Sequence, residues 1–230
     1  MGHSPTPPPA NFHQPPWSPF DEYLWHSCDI LADVLEGHVA RRPIVATTAR
    51  LGHGDRALAT GPGLSLTWKA LGSGRYTHTR VAAFGHPAFV IGSLVGSAVG
   101  NSTRRRQAAR AAQPRWVVDG TGDVTLTLRR LHFAHAAELD LEWGALTSIE
   151  LASADVFQTS FVNTRGARMT VRVQTPWASL AFALAAITAF PAHPRLLNRS
   201  WLPADFEQRC ARMGRPCRPA AHLAPRSGGT

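Results

Sequence analysis

The hydrophobic positions change period along the chain, and the changes outline the fold. Phe20, Tyr23, Leu24, Leu31, Val34 and Leu35 recur at helical spacing, which predicts an amphipathic helix of about five turns. Ser18 is placed to cap it, Pro19 suits its first turn, and Asp21 and Glu22 favour the positive end of the dipole. Gly37 is a stop signal. The polar side carries Asp29, Asp33 and Glu36, which anionic lipid would repel, so packing on a domain or on a partner protein is the expected use.

Further along, the period falls to two. Gly61-Pro62-Gly63 is expected to turn, after which Leu64, Leu66 and Trp68 alternate with Ser65, Thr67 and Lys69 as a half-buried strand. Gly72-Ser73-Gly74 closes that strand, and Tyr76 to Val81 suggests another. From Trp116 to Thr175 the alternation is sustained. Val124, Leu126 and Leu128 face away from Thr125, Thr127 and Arg129, and Leu131 and Phe133 resume the pattern after a one-residue slip, as a bulge or bend produces. Leu139, Leu141 and Trp143, then Ile149 and Leu151, then Val156 to Val162, continue it. Asn163-Thr164-Arg165-Gly166 is a turn, and Met169, Val171 and Val173 alternate beyond it. This predicts a meander of about five strands. A helix closes it, with Thr175 as N-cap, Pro176 in the first position and Trp177, Leu180, Ala181, Leu184, Ile187 and Thr188 as its stripe, until Pro191.

Residues 88–100 follow neither period. Gly92, Gly96 and Gly100 form a small-residue stripe in an apolar run too short for a bilayer span, which needs about 20 residues. Pro87 opens a helix that continues through Arg104, Arg105, Arg106 and Arg110 to Pro114, so a helical insertion is expected at about 87–113. The stripe is read as a close-packing face laid on the sheet. Peripheral membrane contact is the alternative, because the basic cluster follows directly. The expected organisation is a disordered Pro-rich tail at 1–18, the amphipathic helix and a linker at 19–54, one domain at 55–205 and a disordered Arg/Pro-rich tail at 206–230.

Composition narrows the function more than it names one. A chain of 230 residues holds one good core plus appendages. The net charge of +9 points first to nucleic acid, but Lys69 is the only lysine, and arginine with abundant Ala, Gly and Pro is also what a GC-rich genome encodes. The basic cluster lacks interleaved aromatics and any base-reading motif. Cys28, Cys210 and Cys217 are too few and too far apart for a disulfide framework, and no secretory leader pattern is visible, so a cytoplasmic protein is expected.

There is no Gly-x-Ser-x-Gly elbow and no phosphate loop. The spacing of Cys210, Cys217 and His222 matches no zinc finger, and His132 and His135 would point to opposite faces of a strand. Glu138, Asp140 and Glu142 fit a solvated outer face. No catalytic residue, metal or cofactor is therefore expected. Arg104, Arg105, Arg106 and Arg110 are the best anion- or lipid-binding candidates, with Arg115, Arg129 and Arg130 as neighbours.

The run from Gly122 to Phe133, with Leu126-Thr127, Arg130-Leu131 and Phe133 at its key positions, resembles the "G-x-L-x-L-T-x-x-R-L-x-F" strand of bacterial pleckstrin-homology-like (GRAM-like) domains. Trp143 and Leu146 fit the following "W-x-x-I/L" segment, and Trp177 fits the start of the final helix. The wider layout is similar to an uncharacterised actinobacterial family through Pro114-Arg115-Trp116, then Trp177, Ala178 and Phe182, then His193-Pro194, Leu196 and Trp201-Leu202-Pro203. The resemblance covers roughly residues 55–205, and residues 70–114 would be an unusually long insertion in such a domain. It implies an α+β, mainly β fold: a bent antiparallel sheet or partial barrel of PH-like type capped by a C-terminal helix, with no catalytic residues. The expected function is a non-enzymatic intracellular binding or scaffold module for a protein or an acidic membrane surface. A nucleic-acid-associated basic adaptor and a small hydrolase with an unrecognised site are the alternatives.

Overall fold

The computed structural model describes residues 17–71, 106–134 and 139–218. Seven strands form one curled antiparallel half-barrel sheet: β1 (Ala59–Lys69), β2 (Arg115–Leu126), β3 (Arg130–Ala134), β4 (Leu139–Glu142), β5 (Leu146–Ser153), β6 (Val156–Val162) and β7 (Arg168–Gln174). Their order in the sheet is β4-β3-β2-β1-β7-β6-β5. The last strand returns beside the first, so β1 is central although it comes earliest in the chain.

Glycines allow the sheet to bend sharply along β1 and β2. Gly63 faces Gly122 across the ladder, and a Cβ on Gly122 would overlap the Ala134 carbonyl. Nearby, Ser65 pairs with Gly120 and Leu66 with Val118, which leaves Asp119 as the extra residue of a bulge. Its carboxylate is used at once: it accepts from Thr67 Oγ1 at 2.6 Å and pairs with Lys69 at 2.5 Å. The Gly61-Pro62-Gly63 sequence is therefore not the expected turn but part of the first half of β1. Pro62 is tolerated because β7 pairs only with Leu64 to Thr67, so that stretch of β1 has a free side.

Phase is the second correction. Ser65 and Thr67, not Leu66 and Trp68, point to the interior, where they neighbour Val173 and Val171 of β7. The bulge and the cross-strand bond to Asp119 satisfy Thr67, so a polar row sits inward. The third concerns the slip before Leu131. It is a complete chain reversal, in which Thr127 Oγ1 accepts from the Arg129 and Arg130 amides and Leu126 then faces Leu131. One residue of lost phase looks the same in sequence whether the strand bends or turns back. The expected meander of about five strands is accordingly six after the insertion.

Helix α1 (Pro19–Leu35) starts in a capping box between Ser18 and Asp21 and ends before Gly37, whose φ of 73° suits glycine. Helix α2 covers residues 106–112, followed by Pro114. Helix α3 (Ala178–Ala189) begins later than expected: Trp177 is its N-cap, and Thr175 Oγ1 accepts only weakly from Trp177 N at 3.4 Å. Nor is it amphipathic. Residues 178–186 are buried on every side, because the sheet, α1 and the C-terminal elements enclose them. Against α3 the concave face presents Val124, Leu126, Leu131, Phe133, Trp143, Phe157 and Val173, each at most 2% exposed. Burying one such aromatic contributes about 2–3 kcal/mol.

The chain beyond 205 supplies another correction. Residues 206–218 were expected to begin a disordered tail, yet α4 (Pro194–Leu197) is followed by α5 (Phe206–Arg212), where Phe206 and Cys210 are fully buried. Phe206 stacks with Trp17 at 6.2 Å, and Arg209 pairs with the buried Asp21 of α1 at 3.0 Å. One turn separates Phe206 from Cys210, and that small apolar face is enough to seat the helix. The arginine-rich composition around it hides the signal.

Candidate functional site

Register places a cationic and aromatic surface at one end of the half-barrel. Lys69 faces Arg115 where β1 and β2 join the insertion. Thr67 faces Val171, so the β6–β7 turn with Arg165 and Arg168 lies at this same end. Among the described residues Arg106, Arg110, Arg115, Arg165 and Arg168 make no ion pair, and Arg106, Arg110 and Arg115 are exposed. On the convex face, Trp68 packs beside Trp116 with ring centres 5.3 Å apart. Arg172 lies over Trp116 at 4.0 Å, oriented by a 2.8 Å bond from its Nε to Gln158. Trp68 is 47% exposed, and Val118 and Leu71 are more so. Such a surface offers free guanidinium groups for anions and an indole that tolerates a half-wet position.

The sequence candidates are only partly brought together. Arg106 and Arg110 sit on α2, a few residues before Trp116. Gly92, Gly96, Gly100, Arg104 and Arg105 lie outside the described residues, as does the segment read as a strand from Tyr76 to Val81. Of the three candidate neighbours of the arginine cluster, Arg129 and Arg130 lie at the opposite end of β2 from Arg115, roughly 35 Å away along the strand. There they flank the buried Asp55 at 3.9 and 3.5 Å. The aromatic pair was missed in sequence. Trp68 and Trp116 are far apart in the chain, and only the register across the insertion joins them.

A second feature is a 330 Å³ pocket lined by Thr48, Ala49, Arg50, His132, Phe133, Ala134, Leu139 and Asp140. His132 Nδ1 lies 3.6 Å from Asp140, its cross-strand partner, and its Nε2 is buried without a hydrogen-bond partner. Asp140 also takes a 2.9 Å bond from Arg130 and is largely exposed. Thr48 is the one hydroxyl among those lining residues, and it is directed to Asp123 at 3.5 Å. An imidazole and a carboxylate are thus present, but the hydroxyl in reach is turned to another acid.

The acidic side of α1 is occupied rather than free. Arg42 binds Asp29 at 2.9 Å and Asp33 at 2.5 Å, while Arg218 bonds Asp33 at 2.5 Å and also pairs with Glu36. Arg215 pairs with Glu22. Asp33, Glu36 and His38 bring ligand atoms close together, but these guanidinium groups already neutralise the carboxylates. Glu22 is held below the usual carboxylate range by hydrogen bonds from Arg215 and Trp17. For Asp33, burial pushes the carboxyl up, and bonds from Arg218 and Arg42 outweigh it. A carboxyl with a lowered folded pKa contributes stability that is complete above its unfolded value, about 4, and is lost as pH falls through the folded value. The amides of Met213, Gly214 and Arg215, bonded to the end of α5, should therefore lose exchange protection at pH 3 relative to pH 7, after correction for intrinsic rates, before those of β6 do. Equal protection at both pH values would contradict this clamp.

No family model, curated protein or solved structure matches the chain. Among the described residues no helix is long and apolar enough to cross a membrane.

Proposed function

We propose that the protein is a non-catalytic binding module of pleckstrin-homology-like type that docks on acidic membrane surfaces through the β1–β2 end of its half-barrel. The observation that carries this reading is that segments bearing unpaired arginines meet the exposed Trp68 end of the sheet. Support for the PH-like assignment comes from the curled antiparallel sheet and the helix α3 that covers its concave face. The interior there is filled by Trp143, Phe133, Phe157 and Phe182, so the ligand must be met at the rim.

Each basic side chain near an anionic surface contributes about 1 kcal/mol. The double variant Arg106→Gln/Arg110→Gln should bind phosphatidylserine vesicles roughly 30-fold more weakly than wild type in a flotation assay. Binding should also fall with added salt. Wild-type protein that ignores anionic vesicles at low salt would remove the membrane reading and leave a protein partner as the scaffold's ligand. A hydrolase using His132 and Asp140 has one supporting observation, the unpartnered Nε2 in its pocket. Ester hydrolysis abolished by His132→Gln would establish it.

A further inference from the structure

The three cysteines, distant in sequence, meet in space. Cys28 is on the buried side of α1, Cys210 is in α5 with no exposure, and both belong to the main core, against which Cys217 packs half-buried. The chain after α5 turns back on itself through the Arg215 amide, which donates to the Cys210 carbonyl at 3.0 Å. It then runs along α1. Arg215 holds Glu22 and Arg218 holds Asp33, so Cys217, between those arginines, is carried over Cys28, between those acids. Cys217 interacts electrostatically with both other thiols.

We propose that Cys217 is a peroxide-reactive thiol that closes a reversible disulfide with Cys28, fastening the C-terminal segment to α1. This modification site is independent of the cationic rim. A buried apolar cysteine is ordinarily inert, since only the thiolate is nucleophilic. Here the interaction with the Cys28 thiol lowers Cys217 to about 7, while burial works in the opposite direction. Cys28 is pushed up, first by that same interaction and then by burial, and burial pushes Cys210 up to about 12. One thiol of three is thus ionised near neutrality, and it is the one with solvent access. A pKa near ambient pH is also where thiol reactivity is greatest.

The chemistry balances with a hydroperoxide as oxidant. The Cys217 thiolate attacks the O–O bond; an S–O bond forms, the O–O bond breaks, and the leaving hydroxide takes a proton to become water. Cys28 sulfur then attacks the sulfenic sulfur. The S–S bond forms, the S–O bond breaks, and the Cys28 proton leaves with the hydroxide as a second water. Two thiols are oxidised and one hydrogen peroxide is reduced. A dithiol reductant reverses the product.

The test uses the full chain, reduced, then treated with a small excess of hydrogen peroxide and mapped by non-reducing peptide mass spectrometry. A Cys28–Cys217 cross-linked peptide is expected, lost on dithiothreitol treatment and absent from Cys217→Ser. In the untreated protein, iodoacetamide at pH 7 should label Cys217 roughly tenfold faster than Cys28 or Cys210, a readout that does not depend on any variant folding. A disulfide from Cys217 to Cys210, irreversible over-oxidation with no cross-link, or equal labelling of all three thiols would each overturn the assignment.

Discussion

Trp143→Ala should lower the unfolding free energy by about 4 kcal/mol, measured by urea denaturation at constant m-value. Trp143 has no exposed surface and sits in the short turn between β4 and β5, the two edges of the half-barrel. It meets Phe157 edge-on at 6.3 Å, and its Nε1 donates to the Thr127 carbonyl in the β2–β3 turn at 3.3 Å. One side chain therefore ties both halves of the sheet to the same point under α3. Truncation leaves a cavity and an orphaned carbonyl, and Trp143→Phe, which refills most of the cavity, should recover most of the loss if that bond matters little. A loss below about 1 kcal/mol in the alanine variant would mean that the core closes over the gap and that this residue does not organise it.

The second large effect is expected from one added methyl group. Gly122→Ala places a Cβ against the Ala134 carbonyl, which belongs to backbone and has no rotamer by which to move away. Phe133 crowds the same space at 3.5 Å. Overpacking normally costs 1–3 kcal/mol, and a backbone obstacle puts this site at about 3 kcal/mol. Relief requires β2 and β3 to separate where Asp123 pairs with Ala134. Amide exchange at Phe133 and Ala134 should therefore rise more than exchange in β6. Gly144→Ala is the control, because a Cβ there meets nothing within 4 Å. Equal stability of the two variants would show that β2 does not bend as described.

These two sites also show what the sequence disclosed. Sustained alternation from Trp116 to Thr175 made the sheet and its closing helix legible, because half-buried strands must separate polar from apolar residues. Ser18, Asp21 and Gly37 made α1 legible through local capping chemistry. The path of β1 was not, since glycines that let a strand bend sharply are the same residues that make turns. Ser65 and Thr67 were assigned outward because hydroxyls buried by a cross-strand acid look like solvent-facing ones in a one-dimensional pattern. Contacts over long separations were beyond the letters altogether. The Trp68–Trp116 pair and the meeting of Cys28 with Cys217 depend on register and on ion pairs, and neither leaves a local trace. Arginine abundance concealed α5 for a related reason, as composition averages over the two buried positions that matter.

The pairing of Lys69 with Arg115 bears on how this chain can vary. The polypeptide leaves the sheet and re-enters it at neighbouring ladder positions, about 5 Å apart. The segment between therefore starts and ends at fixed points, and each doubling of its length adds only about 0.6 kcal/mol to closure. Insertions and deletions at residues 70–114 are thus nearly invisible to the framework. Divergent copies of this half-barrel would keep Gly63, Gly122 and Trp143 while exchanging the connecting segment wholesale, which makes that segment the natural place for specificity to evolve.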